Sequence, residues 1–448
     1  MRVAIIGAGI SGLSLAYYLQ KFGVAYDLLE ASAQVGGNIR TERVNDYLLE
    51  LGPNTLQTSP ELSELVCELK LEQEVQPTAP QSSDRFVLRN GTVQQLPASP
   101  LAFLTQDFFS WHTKQRILQE KDIPPADVRD ETLAQFFERR FGRDVVDYAV
   151  DPLVTGIFAG DPNKILLDKV LPSLKLLETK YGSVLKGLAK HPAVAKRKET
   201  FSFKGGMGTL PEAIADKLIS LHLEHRVEVI ARSQGKYVLS CASSGDNDTE
   251  EYDLLVLALP AHQAADLLQF TFPGIAAALH NINYPPMAVV HTAYNRREVE
   301  HPLCGFGALH PQAEAPFAAG SIWTSSLFPD RCRPHEVLFT TFVGGTKYAS
   351  HAHMPPEQLL SKVHRELCST YAIHSEAPAF QHLHVWEHAL PQYDLYIEDA
   401  HQMARQMEQE ALYIAANWQA GVSVLACIRH AKELARKINL KRANAHNS

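Results

Sequence analysis

Apolar and polar positions sort this chain into short buried-strand runs and longer helical stretches from the third residue onward. Val3-Ala4-Ile5-Ile6 is wholly apolar and rich in β-branched residues, the pattern of a strand buried on both faces in a parallel sheet. Glycines follow at once. Leu13 to Phe22 then has helical composition and stops near Gly23, a residue suited to a helix C-terminus. Tyr26 to Leu29 reads as a second strand ending on Glu30, which completes a strand–helix–strand unit. Further along, Arg85 to Gly91 reads as strand and turn, and Leu96-Pro97-Ala98-Ser99-Pro100 breaks structure. Leu101 to Leu118 reads as helical, with bulky Phe103, Phe108, Phe109 and Trp111. Leu133 to Phe141 predicts another helix, and Glu212 to about Leu221 a further one. Val227 to Ile230 alternates like a strand, and Tyr252 to Leu259 is a strand stopped by Pro260.

Composition narrows the class. The chain has 448 residues, 45% hydrophobic and 21% charged, which suggests two or three domains and excludes both wholesale disorder and a polytopic membrane protein. No apolar run approaches the length of a membrane-spanning helix, so none is expected. Lys and Arg total 42 against 50 Asp and Glu, a formal charge of −8, and a mildly acidic chain is a poor nucleic-acid binder. The six cysteines are dispersed with no CxxC, and neither an HExxH motif nor a Cys/His quartet is present. No metal site is therefore expected, and the thiols fit a reducing compartment. Met1-Arg2 runs straight into the first strand, so no leader peptide is expected. Lys186, Lys190, Lys196, Arg197 and Lys198 form a basic stretch that reads as a solvated loop, or as a contact for anionic lipid or an acidic partner.

Chemistry concentrates in the first fifty-four residues. Gly7-Ala8-Gly9-Ile10-Ser11-Gly12 is a GxGxxG sequence between strand and helix. Gly7 permits the tight turn, Gly9 lets backbone approach a pyrophosphate, and Gly12 lets the helix pack on the strand. The helix N-terminus offers free N–H groups and a positive dipole end to phosphates. Glu30 is placed to accept a ribose hydroxyl. The bland alternative is a glycine-rich turn in an unrelated α/β domain. Soon afterwards comes Gly36-Gly37-Asn38-Ile39-Arg40-Thr41, then Glu50-Leu51-Gly52-Pro53-Asn54. Two glycines again allow close backbone approach to a diphosphate, and Arg40 supplies a fixed cation.

The Gly-Gly-x-x-Arg-Thr pattern resembles the second cofactor motif of the FAD-dependent amine oxidase superfamily. Three later stretches narrow the resemblance: Asp151-Pro152-Leu153-Val154-Thr155-Gly156-Ile157-Phe158-Ala159-Gly160-Asp161-Pro162, Phe203-Lys204-Gly205-Gly206-Met207-Gly208-Thr209-Leu210-Pro211, and His388-Ala389-Leu390-Pro391-Gln392-Tyr393. With these, residues 1 to about 435 resemble the oxygen-dependent, FAD-containing protoporphyrinogen oxidases. The resemblance implies that Gly7, Gly9, Ile10, Ser11 and Gly12 hold the FAD diphosphate and that Glu30, with Ala31, holds the ribose. Gly37 and Arg40 belong to the second cofactor motif, and Gly52, Pro53 and Asn54 lie near the flavin. Val227 contacts the adenine through its backbone, Trp386 faces the cofactor, and Val422, Ser423 and Val424 return to the flavin. On the substrate side it implies Arg85 for a propionate, Asn54, and the backbone of Gly156 for a pyrrole. The C-terminal motif departs from the family pattern: Ala416 stands where Gly is usual, and Ala426 where an Asp is.

The implied architecture is α/β: a Rossmann-like FAD-binding domain assembled from residues 1–85, 201–260 and 386–448, a helical insertion over 86–200, and a mixed α/β substrate domain over 261–385. The implied reaction removes six electrons and six protons from protoporphyrinogen IX in three flavin cycles, with molecular oxygen as acceptor. The porphyrinogen and oxygen are thus the expected partners. The location expected is cytoplasmic, with the apolar Trp111 segment offering a peripheral membrane contact or an apolar entrance. A homodimer stays open. Rival readings are coproporphyrinogen III oxidation, an amine oxidase or carotenoid desaturase on the same fold, and a non-catalytic flavin or tetrapyrrole carrier.

Overall fold

In the computed structural model, which describes residues 1–80, 84–97, 100–191, 199–242 and 249–446, five short strands lie parallel in one sheet. Their order is Leu221–His222, Ala25–Leu29, Arg2–Ile6, Leu254–Leu257 and Leu412–Ile414. These strands are mostly apolar because both faces are covered, and the buried Asp27 among them is paired with Arg2 of the central strand. The helix Ile10–Lys21 covers one face, with its first ten residues all buried, and packs in turn against the C-terminal helix Val424–His446. One sheet is thus built from three stretches of chain far apart in sequence.

A second sheet has seven strands in the order Phe380–Trp386, Met287–Asn295, Glu336–Gly344, Gly320–Trp323, Gly307–Leu309, Phe86–Arg89 and Thr92–Gln95. Its pairs are antiparallel except where Gly307–Leu309 meets Phe86–Arg89. The helix Pro356–Tyr371 lies on one face, burying Leu359, Val363, Leu367 and Tyr371 against Ala288, Val290, Tyr294 and Phe339. The other face turns Met287 and Ala293 toward the hairpin Thr41–Val44/Tyr47–Glu50 and Trp386. Three further strands, Leu56–Gln57, Thr200–Phe203 and Val75–Pro77, form a small sheet beside the hairpin.

Most of the chain from Pro100 to Lys190 is helical, and a buried charge cluster knits it together. Arg140, fully buried, bonds Glu120 and Glu178, while Arg139 bonds Glu131 and Glu178. Three expectations change here. The stretch Leu101–Leu118 is two helices, Pro100–Thr105 and Trp111–Leu118, because Ser110 caps the second by accepting from the Thr113 amide. Phe108 and Phe109 turn into the core while Trp111 is 66% exposed. The helix near 212 spans only Thr209–Ala215, and Leu221 instead pairs with Leu28 as a strand. The hairpin Phe86–Arg89/Thr92–Gln95 belongs to the seven-stranded sheet rather than to the helices that follow it. Of the basic stretch, Lys186 and Lys190 lie on Val184–Lys190, and residues 196–198 fall outside the described residues. Among the described residues no helix is long and apolar enough to cross a membrane.

Candidate functional site

The turn after the first strand sets the site. Gly7 has φ +104°, and a Cβ there would lie 2.8 Å from the carbonyl oxygen of Ala258, just past the neighbouring strand Leu254–Leu257. Gly9 caps the helix Ile10–Lys21 with no side-chain bond, and nothing stands within 4 Å of where its Cβ would be. The helix's first amides therefore face open space at the positive end of its dipole, an arrangement that takes an anion. Gly12 does a different job: its Cβ would meet the Gly7 carbonyl oxygen at 1.9 Å, so its bareness lets helix and turn touch.

Glu30 ends the neighbouring strand. Its Oε2 accepts from the Ala8 amide at 2.7 Å, and its Oε1 from the Ser32 amide and hydroxyl at 2.9 and 2.8 Å. These bonds fix the carboxylate and leave acceptor capacity on Oε2. The second glycine pair folds directly onto the first turn. Gly36 donates to the Ala8 carbonyl at 2.9 Å, and a Cβ on Gly37, at φ +59°, would stand 3.3 Å from the Gly9 Cα.

All of these surfaces open on one continuous cavity of about 2350 Å³. Single-ligand pockets reach roughly 1,000 Å³, so there is room for two large molecules side by side. Gly7, Gly9, Ile10, Ser11, Glu30, Ala31, Gly37, Arg40, Gly52, Pro53, Asn54, Val227, Trp386, Val422, Ser423 and Val424 all line it, as do Arg85 and Gly156. Of the residues singled out from the sequence, Gly12 alone stands behind the wall.

Three supports hold the middle of the cavity. The Trp386 indole donates to the Leu51 carbonyl at 2.7 Å, and the Arg40 guanidinium stands 5.9 Å from the Trp386 ring centre. Gly52 is pressed against Asn38, where a Cβ would lie 1.9 Å from the Asn38 carbonyl oxygen. Ser423 caps the C-terminal helix by accepting from the Ala426 amide at 3.1 Å. Ala416, on the wall where a Gly was the family norm, has φ −129°, an ordinary extended angle that any residue adopts.

The far end is apolar. Leu153, Ile157, Met287, Val289, Leu309 and Phe342 are on its wall. Arg85 lies over the Phe306 ring, 3.6 Å from its centre. Gly156 faces Leu309, whose Cδ2 would be 2.6 Å from an added Cβ.

Sequence reasoning missed several wall residues. His388, Ala389 and Leu390 sit in a landmark stretch already noted, and Asn38 lies inside the Gly-Gly motif, so a signal for these existed. Met287, Val289 and Phe342 carried none, because strand residues facing a void look like core residues. His388 lies against His262 with ring centres 4.1 Å apart and planes tilted by 34°, and burial together with this neighbour holds His262 below the usual imidazole range.

Residues 10–439 match the family described as flavin containing amine oxidoreductase. The chain is 30% identical to protoporphyrinogen oxidase 2, chloroplastic/mitochondrial, of Arabidopsis thaliana, across 94% of this chain and 91% of that protein. It is also 30% identical to protoporphyrinogen oxidase of Homo sapiens, across 97% of each. A crystal structure from Exiguobacterium sp. 255-15 has the same fold, with a TM-score of 0.83 at 22% identity, covering 98% of this chain and 99% of that one.

Proposed function

The chain belongs to the protoporphyrinogen oxidases within the flavin-containing amine oxidoreductases, and from that membership we propose that it oxidises protoporphyrinogen IX to protoporphyrin IX in heme biosynthesis. It is an FAD-dependent oxidoreductase. The observation that carries the substrate assignment is the single cavity running from an anion-receptive glycine turn to an apolar chamber with one arginine at its wall.

FAD, when bound, accepts two electrons per cycle as a hydride and returns them to oxygen, so a six-electron oxidation takes three cycles. The protein's share is binding, orientation and exclusion of water. In this reading the bare Gly9 and the open helix N-terminus receive the diphosphate, and the prepositioned Glu30 receives the ribose. The braced turn 51–54 and Trp386 border the ring. The apolar far wall keeps water from a porphyrinogen methylene bridge, and Arg85 takes a propionate through paired hydrogen bonds. Among the described wall residues the Lys and Arg side chains are Arg40, Arg85 and Arg226. Arg226 neighbours Val227 at the dinucleotide end and Arg40 sits in the second cofactor motif, which leaves Arg85 for the chamber. One cation suits a substrate with two propionates better than one with four.

Trp111 and Leu176, 66% and 65% exposed, stand out from the helical region that also carries the chamber-wall residues Leu153 and Ile157. Our reading includes a peripheral contact of this face with a membrane that holds the sparingly soluble substrate. The deciding experiment supplies protoporphyrinogen IX and coproporphyrinogen III separately in air and follows porphyrin fluorescence. Faster oxidation of protoporphyrinogen IX is expected. Preference for the four-propionate compound overturns the substrate assignment, and a flavin-loaded protein active on neither overturns the function.

A further inference from the structure

Glu50 ends the strand Tyr47–Glu50 and stands directly before the turn Leu51-Gly52-Pro53-Asn54 on the cavity wall. It is 3% exposed. Its Oε1 accepts from Arg331 Nη1 at 2.5 Å and from the Met207 amide at 2.9 Å, and its Oε2 accepts from the Thr41 hydroxyl at 2.7 Å. Its main-chain oxygen receives His291 Nε2 at 3.2 Å, and the next carbonyl, that of Leu51, receives the Trp386 indole. Five donors thus converge on two consecutive residues, four from distant stretches of chain and Thr41 from the paired strand. Arg331, 1% exposed, spends further N–H groups on the Ser202 hydroxyl at 2.9 Å and the Phe203 carbonyl at 3.0 Å. Thr41 in turn accepts from the Gly208 amide at 2.9 Å.

A fully buried ion pair is a poor device for stability alone. Stripping two ions of water costs several kcal/mol each, and well-packed apolar replacements are often as stable or more so. What the pair does supply is one allowed arrangement. Arg331 comes from the stretch leading into the seven-stranded sheet, Met207 from the loop after Thr200–Phe203, and Thr41 from the second cofactor motif. All three must be in place before the carboxylate is satisfied, and the turn that follows it then has one height relative to the cavity.

Resting on the reading that this cavity holds FAD, we infer that Glu50 and Arg331 are a positioning pair: without touching the cofactor, they set the 51–54 turn against its ring and thereby its affinity and surroundings. The test compares wild type, the double variant Glu50→Met/Arg331→Met and the single variant Arg331→Lys, each as the full chain. Far-UV spectra and urea midpoints report the fold. FAD dissociation constants and the visible circular dichroism of bound flavin report positioning. The double variant is expected to bind FAD at least tenfold more weakly and give an altered visible spectrum, with a lowered midpoint because the Met207 amide and the Phe203 carbonyl lose buried partners. Arg331→Lys, which keeps the charge but not the fork of donors, should fall between. An FAD affinity within twofold of wild type with an unchanged visible spectrum overturns the inference, whatever the midpoint does. If the double variant does not fold, Arg331→Lys decides by the same two flavin measurements. A wild-type protein that binds no FAD would instead defeat the underlying assignment of the cavity.

Discussion

At Gly9 the space a Cβ would need is open cavity, whereas at Gly12, three residues on, it is the Gly7 carbonyl oxygen at 1.9 Å. Two glycines of one motif therefore do opposite things: the first admits a ligand and the second admits backbone. This predicts that Gly9→Val leaves the core undisturbed and blocks the diphosphate. The urea midpoint should stay near wild type while FAD content after purification falls below about a tenth of one per chain. Flavin absorbance against protein absorbance measures it, and stoichiometric FAD in the variant would remove Gly9 from the site. At this scale the sequence was most readable where spacing alone defines the geometry, as from Gly7 to Glu30 and from Gly36 to Arg40. It was opaque at Met287, Val289 and Phe342. Their alternation reports a covered sheet face, and nothing local says whether the cover is a helix or a cavity.

The helix Asp151–Phe158 brings Pro152, Leu153 and Gly156 to the chamber wall, and a charge pair anchors its first residue. Asp151 bonds Lys347 and also accepts from the Gln312 amide at 2.9 Å, with both side chains of the pair under a tenth exposed. Asp151→Asn would leave Lys347 buried without a counter-charge, at a cost of about 3–5 kcal/mol. The urea midpoint should drop accordingly, and Asp151→Asn/Lys347→Met should recover most of the loss. An Asp151→Asn variant as stable as wild type would show that Lys347 reaches water. Element boundaries were less legible than element types. The break at 106–110 hinged on Ser110, a cap hidden inside helical composition. Leu221 became a strand only because Leu28, far away in sequence, offered it an edge. The hairpin from Phe86 to Gln95 reads locally as strand and turn, but its sheet is decided by Ala308 and Leu309, over two hundred residues on.

Across the whole molecule, the parallel sheet takes strands from 2–29, 221–257 and 412–414, so no single stretch folds the cofactor site alone. The resemblance implied this discontinuity; periodicity did not, because parallel neighbours need not be neighbours in sequence. Such a molecule buries titratable groups wherever its parts meet, and their sum sets its response to acid. Burial lowers His291 to about 3 and His310 to about 4, and it lowers His262, His301, His384 and His401 as well. Below the ordinary value of 6.5 the unfolded chain binds protons that the folded chain refuses. These six imidazoles therefore favour the fold above pH 6.5 and cost stability as pH falls. Glu366 works the other way. Burial raises it to about 7, although the Phe317 and Ala318 amides donate to it, so its contribution is present at low pH and lost as pH rises through 7. Burial raises the Glu50, Asp147 and Asp394 carboxyls too, so on the acid side of pH 6.5 the two effects oppose, six imidazoles against four carboxyls. The urea midpoint should therefore fall steadily from pH 6.5 to 5. His310→Gln, which removes a fully buried imidazole, should make that fall shallower. A midpoint that climbs on acidification from pH 7 to 5 would mean that the buried carboxyls outweigh the imidazoles.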